Sequence, residues 1–399
     1  MEVYIKPSKA HGKICAPPSK SASHRALICA ALSGEGRVDN LIFSDDIKAT
    51  ISGLSALGAQ IKTGKEDVII STPVHKTPTA QINCNESGST LRFLLPLSLV
   101  FCKSIEFTGT KRLFERDLSV YEEIAQNQGI IFSKNENSVA LYGKLKSGNF
   151  SIRGDISSQF VSGLMFALPL LDGDSFIEFT TEVESRPYID LTVEMLNAFG
   201  VIITPLKNGY LIKGGQKYKS KNITIEGDYS NAAFLDALNL LGGDVKVEGL
   251  SPDTAQGDRI YKNYFNTVKQ GGVYDVSSCP DLAPVLFTLA AMFSGACFKG
   301  TARLKIKESD RAEAMRGELS KLGADILVNE NEVIIKKAEL YAPKCPLYSH
   351  NDHRIAMALS LILSRYGGIL QGAEAVSKSY PSFFNDIKKL GIEVKTNDN

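Results

Sequence analysis

The chain has 399 residues, 43% hydrophobic and 22% charged, which is an ordinary globular composition at a length that one core rarely serves, so two domains are expected. A net charge of +1 speaks against a broad nucleic-acid footprint, and seven cysteines without a CxxC pair give no support to a zinc site. The longest mostly apolar stretch, Leu282 to Phe293, is too short to span a bilayer. The opening MEVYIKPSK lacks the apolar core of a signal peptide, and an odd, scattered set of cysteines favours a reducing cytoplasm.

In chain order, one phrase returns six times: a small polar opening, three apolar turns, a Gly or charged stop, and a β-like run. The copies are SKSASHRALICAALSGEG from Ser19, SGSTLRFLLPLSLVF from Ser87, SSQFVSGLMFALPLLDGD from Ser157, YSNAAFLDALNLLGGD from Tyr229, PDLAPVLFTLAAMFSG from Pro280 and NDHRIAMALSLILSRYGG from Asn351. Their opening residues Ser21, Ser89, Ser158, Ser230, Asp281 and Asp352 are separated by 68, 69, 72, 51 and 71 residues. Such a period is the first thing to read in a fold. It also points to function, because helix N-termini carry unpaired N–H groups and partial positive charge and so bind anions.

A second phrase follows each first one: an amphipathic helix, then a Gly at 58, 129, 200, 271, 323 or 391 suited to the left-handed residue that ends a helix. Hairpins follow most of these, as in VIITPLKNGYLIK, but not Gly271, which accounts for the short spacing of 51. The unit reads βαβαββ, with one helix buried and the other half-solvated. Six units fit two domains of three, each with sheets around a bundle of buried helices. The N-terminal run EVYIK is expected to complete the sixth sheet. That closure assigns 1–18 and 226–399 to one domain and 19–225 to an inserted one, with the active site in the cleft between them and crossings near Pro18 and Gly227.

The polar residues at these openings are each open to a plain reading. Lys20, Ser21 and Arg25 in PPSKSASHR are a capped helix start with solvated bases, or an anion grip. Gly88 in ESGSTLR is a capped turn, or a place for close approach. Arg112 and Arg116 in GTKRLFERDL form a basic loop; Ser157, Ser158 and Gln159 read first as caps; Ser185 and Tyr188 flank Pro187 in a loop. Asp281 is a cap or a base, and Lys307, Glu308 and Arg311 are a surface ion network or a site. His353 and Arg354 stand at the mouth of an apolar helix, and Lys378 lies in a strand-to-helix loop. His350 and His353 lack a third ligand, so no metal is expected. Taken together, seven cations (Lys20, Arg25, Arg112, Lys307, Arg311, Arg354, Lys378) recur at equivalent ends of the repeat with few carboxylates, chiefly Asp281 and Glu308, among them. That set suits small polyanions bearing phosphate and carboxylate groups.

At these residues the chain resembles the 5-enolpyruvylshikimate-3-phosphate synthase family, through PPSKSASHR, SGSTLR, TGTKRLFERDL, SSQFVSGL, SRPYID, EGDYSNAAF, PDLAP, IKESDR, NDHRIAMA and KSYPSFF in family order. The resemblance implies a two-domain inside-out α/β barrel without metal or organic cofactor. It also implies transfer of the enolpyruvyl group of phosphoenolpyruvate to the 5-hydroxyl of shikimate 3-phosphate, on the way to aromatic amino acids. Carried over by motif, Ser21, Arg25, Ser157, Ser158, Ser185, Asp281 and Lys307 hold shikimate 3-phosphate. Gly88, Arg112, Arg311, Arg354 and Lys378 hold phosphoenolpyruvate, and Lys20 and Gln159 touch both. Asp281, Glu308 and Lys20 are the candidates for proton transfer, and a cytoplasmic monomer with these two small-molecule substrates is expected. One departure is Glu86, where many relatives carry Asn.

Two rivals are weighed. The UDP-N-acetylglucosamine enolpyruvyl transferases have a Lys-Asn pair where this chain has Lys20-Ser21, and typically a Cys near the Arg112 position, where none occurs between Cys102 and Cys279. A non-catalytic anion-binding protein needs the cations but has no use for Asp281 and Glu308.

Overall fold

The computed structural model of the chain describes residues 1–397. Each apolar phrase forms one buried helix: α1 (Lys20–Ser33), α2 (Gly88–Phe101), α3 (Ser158–Ala167), α4 (Tyr229–Leu240), α5 (Ala283–Met292) and α6 (His353–Tyr366). Burial is nearly all-round, so these helices lack a polar stripe; in α6 every residue from His353 to Ser364 is buried.

Four of the helices begin slightly earlier than the expected opening residues, and α6 opens at Asp352 as expected. Ser19, Ser87, Ser157, Asp228 and Asp352 are the caps, accepting from the N–H groups of Ala22, Thr90, Gln159, Asn231 and Arg354. Ser21, Ser89, Ser158 and Ser230 therefore lie inside the first turn. Asp281 caps nothing and sits in the short 3₁₀ turn Pro280–Leu282 that leads into α5.

Among the described residues five sheets have four strands and one has two. In the third repeat, Asn149–Ile152 runs parallel to Ser175–Phe179 across α3, and the hairpin of Ile203–Leu206 with Gly209–Ile212 adds on antiparallel. Ser175, Ile177 and Phe179 point inward and Phe176 and Glu178 outward, the two-residue period of a sheet with one buried face. All six glycines that end the outer helices have positive φ.

The chain forms two compact units, Met1–Pro17 with Gly227–Asn399, and Pro18–Glu226. Strand exchange defines them. His11–Cys15, which leads into α1, pairs in parallel with Asp244–Glu248, the strand after α4. Ile223–Thr224, which leads toward α4, pairs with Gly36–Asp39, the strand after α1. Among the described residues the fourth sheet has only His11–Cys15 and Asp244–Glu248, because the chain passes from Gly271 straight to Val273–Asp275 of the next sheet. In the sixth, Glu2–Ile5 lies between Gly368–Gln371 and Val394–Asn397, antiparallel to both. Asp398 and Asn399, which end the IEVKTNDN run, lie outside the described residues. Each unit has its own hydrophobic core, one centred on residues such as Leu94 and Phe166 and the other on Phe287 and Ile362. Among the described residues no helix is long and apolar enough to cross a membrane.

Candidate active site

In the unit Pro18–Glu226, the openings of α2 and α3 meet because Gly163 lets the helices touch. A Cβ there would lie 2.2 Å from the Arg92 carbonyl oxygen and 2.4 Å from Tyr121 Oη. Tyr121 Oη donates to the same carbonyl at 2.6 Å. The close crossing puts Arg92 beside Gln159: Arg92 Nη1 donates to Gln159 Oε1 at 2.8 Å and Nη2 to the Asp117 carbonyl at 2.9 Å. With its oxygen occupied, the Gln159 amide turns its Nε2 to Ser89 Oγ at 3.0 Å. Ser157 is the cap of α3, and Ser158 is its buried first residue.

Lys20 opens α1 and donates from Nζ to Asp46 Oδ2 at 2.8 Å. Arg25, a turn further on, is buried and committed to the protein. Its Nε donates to Thr192 Oγ1, Nη1 to the Ser21 carbonyl and Nη2 to the Tyr188 carbonyl, each at 2.8 Å. Burial lowers its pKa to about 10. Ser185 is buried with φ +53°, a conformation few non-glycine residues adopt and one that clusters at functional sites. Arg112 stands on the short helix Lys111–Glu115, its Nη1 3.5 Å from Glu115 Oε2. The guanidinium that faces Gly88 belongs to Arg116, whose Nη1 would lie 2.5 Å from a Cβ at that position. Glu86 is partly buried two residues ahead of α2.

The other unit carries a denser cluster, and here the expectation of few carboxylates is corrected. Arg311 opens the helix Arg311–Ser320 and is buried. Its Nε donates to Asp352 Oδ2 and Nη1 to Asp281 Oδ1, both at 2.8 Å, and Nη2 to Glu308 Oε2 at 2.9 Å. Arg354 donates from Nη1 to Asn231 Oδ1 at 2.7 Å, with Nη2 3.4 Å from Asp281 Oδ2. Lys307 Nζ completes the group, 3.3 Å from Asp281 Oδ1. Three cations thus face Asp281, Glu308 and Asp352, and Asp228 and Asp258 add their fields at Arg354. The arginines are not empty clamps: carboxylates already occupy them.

Asp281 lies at the centre. Burial alone pushes its carboxyl up, but Lys307, then Arg311 and Arg354, outweigh this and hold it well below the usual carboxylate range. Burial lowers Lys307, with Asp281 acting against it. Arg311 is held far above its ordinary value despite burial, through Asp352, Glu308 and Asp281. Asp352 is presented by a turn in which His350 and Asn351 both have positive φ. Glu318 grips His350 Nε2 at 2.8 Å, and Lys378 Nζ, in the turn Ala373–Lys378, donates to the Asn351 carbonyl.

Asp46, Arg92, Asp228, Asn231 and Asp258 belong to these clusters but escape a reading by sequence. Asp46 and Asp228 look like acidic helix starts, a sufficient reason for their presence. Arg92 does fall one turn into α2, three residues after Ser89 where Arg25 is four after Ser21, and that signal was available.

The six-repeat fold is shared with solved enzymes. Two structures of EPSP synthase from Acinetobacter baumannii align over 99% and 100% of this chain and all of theirs, with TM-scores of 0.76 and 0.77 at 23% and 22% identity. The sequence narrows this to one family. Residues 5–387 match the family model of EPSP synthase (3-phosphoshikimate 1-carboxyvinyltransferase), and the chain belongs to that family. A 3-phosphoshikimate 1-carboxyvinyltransferase of Clostridium kluyveri is 43% identical, covering 98% of both chains. One of Clostridioides difficile is 42% identical, covering 97% of both.

Proposed function

We propose that this chain transfers the enolpyruvyl group of phosphoenolpyruvate to the 5-hydroxyl of shikimate 3-phosphate, releasing inorganic phosphate, in the shikimate route to aromatic amino acids. The observation that carries this reading is the family match over residues 5–387. The chain acts as a cytoplasmic monomer, its partners being these two small molecules.

In the first step the 5-oxygen bonds to C2 of phosphoenolpyruvate, losing its proton, while C3 gains one. In the second the C2–O bond to phosphate breaks and C3 gives its proton back, leaving the enol ether and phosphate. Asp281 is the base for the hydroxyl, and Glu308 and Lys20 serve proton traffic at C3. The ion pairs of Asp281 bear on this directly. While Lys307, Arg311 and Arg354 hold it, the carboxylate is a weak base. Substrate phosphate and carboxylate groups compete for the same guanidinium and ammonium donors. As they draw those donors away, the proton affinity of Asp281 rises, so the base gains strength when there is something to deprotonate.

The two units differ in charge. At the helix starts of one unit Lys20 pairs with Asp46, while Arg25 and Arg92 donate to hydroxyl, amide and carbonyl oxygens, an excess of cations that favours anions. The Arg311 cluster is balanced by its own carboxylates, so an anion there must displace them. The test is a carbon-13 experiment: labelled phosphoenolpyruvate with shikimate 3-phosphate should yield an enol ether at the 5-position. A product formed with UDP-N-acetylglucosamine and not with shikimate 3-phosphate would favour the rival transferase.

A further inference from the structure

We propose that Glu318 and His350 are positioning residues for phosphoenolpyruvate, fixing the turn His350–Asp352 on which three cations expected to hold that substrate, Arg311, Arg354 and Lys378, depend. The proposal rests on the function given above. Neither the resemblance nor the relatives assign Glu318 or His350 a role.

His350 and Asn351 are consecutive non-glycine residues in the left-handed region, at φ +52° and +54°. Such residues enter it at a cost and usually singly, so a consecutive pair must be held there by its surroundings. Each part of the turn then serves a cation. Asp352 is fully buried; its Oδ2 accepts from Arg311 Nε at 2.8 Å, and its Oδ1 caps α6 by accepting from the Arg354 N–H at 2.9 Å. The Asn351 carbonyl accepts from Lys378 Nζ. A turn that relaxed toward ordinary dihedrals would move all three contacts at once.

What holds the turn is a buried carboxylate that the mechanism does not use. Glu318, on the helix Arg311–Ser320, is 3% exposed. Its Oε1 lies 2.8 Å from His350 Nε2, while its Oε2 accepts from the Tyr348 N–H at 2.8 Å and from Lys321 Nζ at 2.7 Å. Burial pushes this carboxyl up, but the hydrogen bonds from His350, Lys321 and the Tyr348 N–H outweigh it and hold the group below its ordinary value. An ionised carboxylate only accepts, so His350 carries a proton on Nε2 and donates it. Glu318 stands seven residues after Arg311, two turns on and on the same helix face. That one face therefore grips the segment 348–352 at both ends, through Glu318 at Tyr348 and His350 and through Arg311 at Asp352. A glutamate serving its own helix alone would be satisfied by Lys321, one turn on, and would need neither of the donors from across the segment.

The test compares the full-length wild type with Glu318→Gln, His350→Ala and His350→Gln, the last of which keeps an N–H donor near the place of Nε2. Phosphate release gives kcat and the KM for phosphoenolpyruvate. Titration calorimetry gives the Kd of phosphoenolpyruvate and, separately, of shikimate 3-phosphate, and scanning calorimetry gives Tm. Residues that act on a ligand through other residues shift its binding by about 2- to 30-fold. Glu318→Gln and His350→Ala should weaken phosphoenolpyruvate by a factor in that range, in Kd and KM alike and well below Tm, with shikimate 3-phosphate binding unchanged. His350→Gln should recover most of what His350→Ala loses. A lower Tm with wild-type phosphoenolpyruvate binding in both disruptive variants would reduce the pair to a staple of the fold and overturn the proposal. An equal loss for both substrates would overturn it too, as would a His350→Gln no better than His350→Ala. If Glu318→Gln does not fold, the two variants of the partly exposed His350 decide the question. A wild type whose phosphoenolpyruvate binding depends on this pair, but which releases no phosphate, would instead sink the functional reading and leave the positioning role standing.

Discussion

Replacing Asp281 by Asn changes one atom and one charge at the centre of two buried arginines and the half-buried Lys307. The carboxylate contacts Arg311 Nη1 at 2.8 Å, Lys307 Nζ at 3.3 Å and Arg354 Nη2 at 3.4 Å. An amide offers one acceptor to these donors and turns its own NH₂ toward another. Removing one member of a buried ion pair costs about 3–5 kcal/mol, because the remaining charge is left uncompensated. Arg311 keeps Glu308 and Asp352, and Asp281 is one-fifth exposed, so the lower end applies, about 3 kcal/mol. At about 2–4 °C per kcal/mol for a unit of this size, Tm should fall by about 6–12 °C. Turnover should fall by about 10²- to 10⁴-fold through loss of the base, with shikimate 3-phosphate still bound. Millimolar phosphate should restore part of the lost Tm in the variant by taking the place of the missing carboxylate, and do less for wild type. Scanning calorimetry and a phosphate-release assay read both effects. Asp281→Asn with wild-type Tm and wild-type turnover would refute the reasoning at once.

Glu308→Gln should lose about 10²- to 10⁴-fold in turnover while binding shikimate 3-phosphate normally; near-normal turnover removes Glu308 from the mechanism. Gly163→Ala pushes a methyl into the Arg92 carbonyl and Tyr121 Oη, and should cost about 1–3 kcal/mol in a denaturant titration; an unchanged midpoint would mean the helices part freely. His24 is buried, hydrogen-bonded to Thr50 and edge-on to Phe93, and burial, then Lys20 and Arg25, hold its pKa well below the ordinary value. Below about pH 6.5 the unfolded chain takes a proton that the folded chain refuses, so stability should fall by up to about 1.4 kcal/mol per pH unit toward pH 5. His24→Gln should flatten that slope, and an identical slope in the variant would count against it. The Asp281 carboxyl has the other usual sign: its stabilisation is full above about pH 4–5 and is lost only as pH falls toward its depressed folded value.

Local chemistry made much of the fold legible. The six helix-ending glycines all adopt the positive φ that only glycine takes at low cost, and the apolar phrases all became buried helices. Helix starts were misplaced by two residues at Ser21, Ser89 and Ser230, because a run of small polar residues offers several caps and the backbone chooses the one with extended dihedrals. The exchange of His11–Cys15 with Ile223–Thr224 left no local trace, since parallel pairing across 233 and 185 residues has no short-range signature. Asp228 and Asp258, whose fields act on Arg354, escaped for a similar reason: they are distant from it along the chain, and Asp228 explains itself as a cap. Arg116 lies four residues from Arg112 and looks equivalent in sequence, and only three dimensions show which of the two covers Gly88.

The measurement that bears most directly on the account is phosphate release from phosphoenolpyruvate by the purified chain, with and without shikimate 3-phosphate. Release that requires shikimate 3-phosphate, matched mole for mole by enol ether, is the predicted result. No release with both substrates present, or release that proceeds equally without shikimate 3-phosphate, would contradict it.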